Sequence, residues 1–370
     1  MMQVVPDDDV DSIMAHLGIT ADSPHAPDVR ALVEYVAELG ASPDEIVASA
    51  VLESLGPLAL DFAIRPPGEV RSLDEYVTTC GHDPELVRHL WLALGLPESA
   101  PMPFPVTPDV AEALYVLAVL VDSFGEEAVL GFARVVGSSA ERIADALANA
   151  TRIGVEVPQR TGGMAYRDVV RSYAEVAREL LPVLWSAVGA VFRRHLVLVS
   201  YEGFDVARSR DAVTIERAIG FVDLVGSTEV LRTQSVAEMA ESVNRFERLV
   251  GDRVTKAGGR LVKLIGDEAM FSFIDSRAAV AAAMELVRAS SSPVRVGLAF
   301  GDVVAMHGDY FGPTVNLAAR LVAVAKPSTV VVSTSMPAPA AGDHEFVPIE
   351  TGALRGFPDV TSAYEVRGGQ

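Results

Sequence analysis

Residues 259–274 read GRLVKLIGDEAMFSFI. Two apolar runs, rich in β-branched and aromatic residues, flank Gly266-Asp267, and this pattern predicts two short strands joined by a tight hairpin turn. Glycine supplies the positive φ that such a turn needs. The same texture recurs outward from the hairpin. AIGFVDL (218–224) is a strand ahead of it, separated from it by a helix over Val236–Ala257. A helix over Ser276–Ser290 follows, then the strand VRVGLAFG (294–301), a helix over Val315–Val324 and the strand STVVVS. This β-α-β-β-α-β order predicts an α+β domain over 218–370, of ferredoxin-like or palm-like type. Its sheet is expected to be mostly antiparallel, with helices on one face.

Upstream the texture is different. Residues 1–199 are rich in Ala, Leu, Val, Glu and Arg at helical spacing. Leu32, Val33, Val36 and Leu39 share one helix face, and Val170, Tyr173, Val176 and Leu180 share another. Ser42-Pro43-Asp44 and Thr107-Pro108-Asp109 mark helix starts, and Gly18, Gly40, Gly95 and Gly125 mark stops. Roughly eight to ten helices fit this stretch, an all-α domain that regulates or dimerises. PMPFPVTP (101–108) is its clearest internal break. Residues 200–217 form a charged connector, with Gly203 as a hinge.

Composition narrows the function classes. Half of the 370 residues are apolar, ample for two cores. A net charge of −20 disfavours a nucleic-acid partner, because phosphate binding needs a basic face. The single cysteine, Cys80, rules out an intramolecular disulfide and suits a reducing compartment. MMQVVPDDDVDS at the start is acidic and lacks the apolar core of a secretory signal. The apolar stretches Ala113–Val121 and Leu180–Phe192 are short for a bilayer span, and Asp122 and Arg193-Arg194 close them. A cytoplasmic protein without a transmembrane segment is expected.

The candidate site lies in the last 150 or so positions. Asp223 ends an apolar strand, and Asp267 sits in the hairpin turn. If their strands are neighbours, both carboxylates emerge at one sheet end and can share two divalent ions, Mg²⁺ or Mn²⁺. Leu224, Val225, Gly226, Ser227 and Thr228 lead towards the next helix, whose free N–H groups can cradle phosphate. Taken alone, each Asp reads as a cap or turn residue. Their joint occurrence in this frame favours a site. Lys263 is one of three lysines in a chain that otherwise uses Arg, and it stands in an apolar strand. Its ammonium can donate to an adenine ring nitrogen, and Asp309 can accept from the exocyclic amine. The plainer readings are an edge-strand charge and a loop acid. Asn316 and Arg320, one helical turn apart, can reach a single ligand: Arg for phosphate oxygens, Asn for a hydroxyl. They interrupt an apolar run and are therefore expected to break into a buried helix.

The motifs FVD, KLIGD and GDYFGPTVNLAAR together resemble the catalytic set of the class III adenylyl cyclases, over about residues 215–368. The resemblance implies Asp223 and Asp267 as metal ligands and Lys263 and Asp309 as adenine readers. It implies Asn316 and Arg320 as transition-state stabilisers and, more weakly, Arg355 of ALRGF as a triphosphate contact. It further implies conversion of ATP to 3′,5′-cyclic AMP in a head-to-tail homodimer with sites shared between chains. The helical half followed by this domain is similar to autoinhibited, pH-responsive actinobacterial cyclases. A proton, lipid or small-molecule signal at the helical domain is implied by that likeness. The alternatives are a guanylyl cyclase and a nucleotide-binding regulatory module without turnover.

Overall fold

The computed structural model describes residues 7–20, 22–23, 26–51, 55–98, 105–203, 214–226 and 235–368. It divides into two compact units, Met1–Leu196 and Val197–Gln370.

The first unit is helical: α1 (Asp7–His16), α2 (Ala26–Glu38), α3 (Pro43–Val51), α4 (Leu55–Ile64), α5 (Leu73–Thr79), α6 (Pro84–Ala93), α7 (Pro108–Phe124), α8 (Glu126–Thr151), a π-helical turn Arg152–Glu156, α9 (Val157–Thr161) and α10 (Tyr166–Gly203). Gly18, Gly40, Gly95 and Gly125 all have positive φ, as helix stops in the left-handed region require. Two cores form. Val33, Val36, Ile46, Leu58 and Val170 tie α1–α4 to α10. Trp91, Leu90, Leu114, Val129 and Ala133 join α5–α8.

Helix α10 corrects one expectation. It runs unbroken for 38 residues through Arg193-Arg194, so the apolar stretch does not end where the arginines stand. Over Tyr166–Tyr201 it is long and apolar enough to cross a membrane by length and composition. Leu180, Val183, Trp185, Phe192 and Leu198 lie exposed on it.

The second unit is built on one sheet: β1 (Thr214–Leu224), β2 (Arg260–Ile265), β3 (Glu268–Phe273), β4 (Val294–Met306), β5 (Asp309–Phe311), β6 (Thr329–Val332), β7 (His344–Glu350) and β8 (Ser362–Gly368), with helices α11 (Val236–Lys256), α12 (Ser276–Ala289) and α13 (Pro313–Val324). The order across the sheet is β2-β3-β1-β4-β6-β8-β7, and β5 pairs with β4. All pairs are antiparallel except β4 with β6, which α13 connects as a crossover.

The helices do not share one face. Ala218 and Val222 of β1 pack with Val250 and Val254 of α11 and with Val280 and Leu286 of α12. Ile219 and Phe221, pointing the other way, pack with Ala318 and Val322 of α13. The centre of β1 is accordingly buried without alternation, as a strand covered on both sides must be. Gly297 of β4 permits the close seat of α13. A Cβ there would stand 2.5 Å from both the Ala318 carbonyl oxygen and the Val322 nitrogen.

Candidate active site

Register brings three charged residues into one row. Asp223 on β1 faces Glu268 on β3 and Arg295 on β4. Directly opposed residues of antiparallel strands project to the same side. In this row the side is that of Phe221 and Met270, which α13 covers further along. Arg295 Nη2 donates to Asp223 Oδ2 at 2.6 Å. Asp267 occupies the β2–β3 turn with Gly266, whose φ is +64°, and its carbonyl accepts from the Leu224 N–H at 3.2 Å. The ends of β1 and of the hairpin are thereby held side by side.

The corner is electrostatically crowded. Burial pushes the Asp223 carboxyl above its usual range; Arg295 opposes this, and the Asp267 charge adds to it. Burial likewise raises Glu268, reinforced by Asp223 and Asp267. Glu268 and Arg295 escaped the sequence reading. Arg295 shares with Lys263 the apolar strand setting but not the rarity, since Arg is the common cation of this chain. Glu268 follows Asp267 directly and opens β3.

Lys263 and Asp309, 46 residues apart, meet: Lys263 Nζ donates to Asp309 Oδ2. The other carboxylate oxygen, Oδ1, accepts from the Tyr310 N–H at 2.8 Å, so the Asp309 side chain is held from two sides. Arg260 Nη2 donates to the Gly308 carbonyl at 2.7 Å and joins β2 to the β4–β5 hairpin a second time.

Two expectations need correction. Asn316 and Arg320 do not break into a buried face. Both are exposed, and Ala318, Leu321 and Val322 carry the buried side of α13. The helix is amphipathic, and its small alanines gave the appearance of an all-round apolar run. Among the described residues neither side chain has a hydrogen-bond or ion-pair partner. The backbone donors after β1 are also partly committed. The Leu224 N–H goes to Asp267, and the Val225 N–H donates to the Pro293 carbonyl at 2.9 Å. Gly226 is exposed with φ +75°. Ser227 and Thr228 lie outside the described residues. The next described helix, α11, starts from a Ser235–Glu238 capping box.

Arg355 stands exposed in a turn closed by the Leu354–Phe357 bridge. Leu354 is buried against Leu321 of α13, so this turn is anchored beside the helix that carries Asn316 and Arg320.

Residues 207–362 match the family model described as the adenylate and guanylate cyclase catalytic domain. An uncharacterised protein of Mycobacterium tuberculosis is 31% identical over 82% of this chain and 82% of its own length. An adenylate cyclase of Streptomyces coelicolor is 33% identical over 70% of this chain and 68% of its own. A pH-sensitive adenylate cyclase of M. tuberculosis is 24% identical over 89% of this chain and 83% of its own. With the strand order, the acidic row and these relatives together, the chain belongs to the class III nucleotide cyclases.

Proposed function

We propose that the chain converts ATP to 3′,5′-cyclic AMP and pyrophosphate at sites shared between the two subunits of a homodimer. The observation that carries this reading is the Lys263–Asp309 pair. It sets one donor beside one acceptor, held by β2 and β5, and matches the ring nitrogen and exocyclic amine of adenine. Guanine presents a carbonyl where adenine presents the amine, so the same pair disfavours it.

Asp223 and Asp267 are hard oxygen donors in adjoining sheet ends, and the Asp267 charge adds to the cost of ionising Asp223. A divalent cation between them offsets that cost, and carboxylates suit Mg²⁺ or Mn²⁺. No cluster of three or more ligand-type side chains exists among the described residues. Substrate phosphate oxygens and water would complete the coordination, as Mg²⁺ prefers. When bound, two such ions acidify the ribose 3′-hydroxyl and stabilise the attacking and leaving oxygens.

The chain's own groups do the rest. Lys263 and Asp309 orient the base. Asn316 holds the ribose, and Arg320 donates to the α-phosphate as charge develops there. Arg355 meets the terminal phosphates. With the Leu224 and Val225 N–H groups engaged, the backbone phosphate donors fall to Gly226 and to Ser227 and Thr228. Asn316 and Arg320, exposed and without a partner among the described residues, suit a site completed by the other subunit. The helical unit is read as the regulator of that assembly, with protons as one signal. Support comes from the pH-sensitive relative, whose similarity extends over 89% of this chain and so into the helical unit.

The test is purified protein with Mn-ATP or Mn-GTP, with products resolved by chromatography. Cyclic AMP from ATP, in large excess over cyclic GMP from GTP, is expected. The reverse preference would make the chain a guanylyl cyclase. Nucleotide binding without turnover would make it a regulatory module.

A further inference from the structure

Strand β2 is irregular at one place. Arg260 pairs with Ser272 and Leu261 with Phe271, but the next pair is Lys263 with Met270, so Val262 is an extra residue, a β-bulge. In a regular strand, residues three apart project to opposite sides. Here the extra residue brings Arg260 and Lys263 to the same side, that of Ser272 and Met270, where α13 packs. Leu261 and Leu264 both turn the other way, into the core with Phe271. The bulge thus gives β2 two cations on the side of the site, and both reach the β4–β5 hairpin. Lys263 meets Asp309, and Arg260 Nη2 donates to the Gly308 carbonyl at 2.7 Å. That hairpin is short. It has the ladder pairs Val304–Phe311, Ala305–Tyr310 and Met306–Asp309, around a turn in which His307 and Gly308 both have positive φ. A ribbon of this length is marginal on its own. Asp309 is the first residue after the turn, so sway of the tip moves its carboxylate. Arg260 grips the tip one residue away and lays its guanidinium over the Tyr310 ring, 5.8 Å from the centroid.

We propose that Arg260 is a positioning residue for base choice: brought beside Lys263 by the bulge, it pins the hairpin tip to β2 and so fixes where Asp309 meets the base. Without it the Lys263–Asp309 contact can still form, but donor and acceptor swing with the hairpin and no longer match one base edge closely. The phosphate end of the site, set by β1, β3 and α13, is untouched. The loss therefore falls on base affinity and selectivity rather than on the chemical step. The inference deepens the reading of Lys263 and Asp309 as adenine readers and rests on it.

The test compares the wild type, Arg260→Met, Arg260→Lys, Asp309→Ala and the double variant Arg260→Met with Asp309→Ala, with Mn-ATP and Mn-GTP as competing substrates. Arg260→Met keeps the stem and loses the donors. It should raise KM for ATP and lower the preference for ATP over GTP, each by about three- to tenfold, the range of one lost hydrogen bond. Its kcat should stay within about twofold, a split between KM and kcat that general damage does not produce. Arg260→Lys can still donate once to the Gly308 carbonyl and should stay within about twofold of the wild-type preference. In the Asp309→Ala background Arg260→Met should change the preference no further, because it acts through Asp309. Arg260 is exposed, so folded variants are expected; if Arg260→Met does not fold, Arg260→Ala takes its place under the same criteria. An unchanged KM and preference, a fall in kcat alone, a lysine variant as impaired as the methionine one, or losses that add in the double variant would each overturn the proposal. If Asp309→Ala lowers the preference and Arg260→Met does not, only this inference falls. If Asp309→Ala leaves the preference unchanged, the adenine reading of the pair falls with it.

Discussion

The half-buried acidic row and the exposed stripe of α13 belong to the same domain, but they are finished to different degrees. In the row, Asp223 is tied to Arg295 and lies beside Glu268 and Asp267, and the backbone of β1 is sewn to the hairpin turn. On α13, Asn316 and Arg320 stand exposed with no partner among the described residues. One set of groups is balanced inside the chain, and the other is presented outward. Exposed polar groups that a ligand must meet from the far side are what a site shared between two copies requires.

The largest effect should come from the finished half. Asp223→Ala or Asp267→Ala is expected to cut turnover to less than about a tenth, with folding unchanged by circular dichroism, because each removes a shared cation ligand. A folded variant retaining more would break the assignment of the row.

The unfinished half is tested by mixing. Asp223→Ala and Asn316→Ala chains, each inactive alone, should regain about a quarter of wild-type activity when co-expressed, since half of the dimers are mixed and each holds one intact site. No recovery in tagged, isolated mixed dimers would mean that both halves act within one chain.

The base pair comes next. Lys263→Glu with Asp309→Cys should lower the preference for ATP over GTP by about 1–3 kcal/mol, the cost of an unpaired polar contact in a closed site. Competition kinetics with both nucleotides would read this directly, and an unchanged ratio would assign base choice to other groups.

A smaller effect is expected from the seat of the helix. Gly297→Ala sets a methyl 2.5 Å from two backbone atoms of α13. It should cost about 1–3 kcal/mol by chemical denaturation, as overpacking does. Full stability would mean that the sheet and helix can separate at no cost.

The smallest effect is expected from the helical unit. Residues 1–370 and a fragment starting near Ala207 should differ in activity per mole and in profile from about pH 5.5 to about pH 8, the range in which histidine titrates. Superimposable profiles would leave the first unit no regulatory part.

Much of the domain was legible because its elements announce themselves locally. Gly266-Asp267 between two apolar runs gives the hairpin, and Pro313 and Ser276 open helices where the texture changes. The placement of α13 was not legible. A five-residue run such as AIGFV does not state whether one face or both are covered, and only the packing of Ile219 and Phe221 against Ala318 settles it. For the site, the apolar setting of Lys263 and the spacing of Asn316 and Arg320 pointed to the candidate groups, and the meeting of Lys263 with Asp309 came from the fold. Burial was misread because alanine fits either side of a helix. Arg295 and Glu268 were missed because their partners come from other strands, and register is a tertiary fact. The charged connector falls mostly in 204–213, outside the described residues.

The contact at Gly297 has a consequence for how this enzyme can drift over generations. Main chain lies on main chain there, with no rotatable bond between sheet and helix. Swaps among the surrounding valines, leucines and alanines alter what fills the flanks but not the height at which Asn316 and Arg320 ride. The core can thus be repacked around this contact while the seat of Asn316 and Arg320 on the sheet stays set by backbone against backbone.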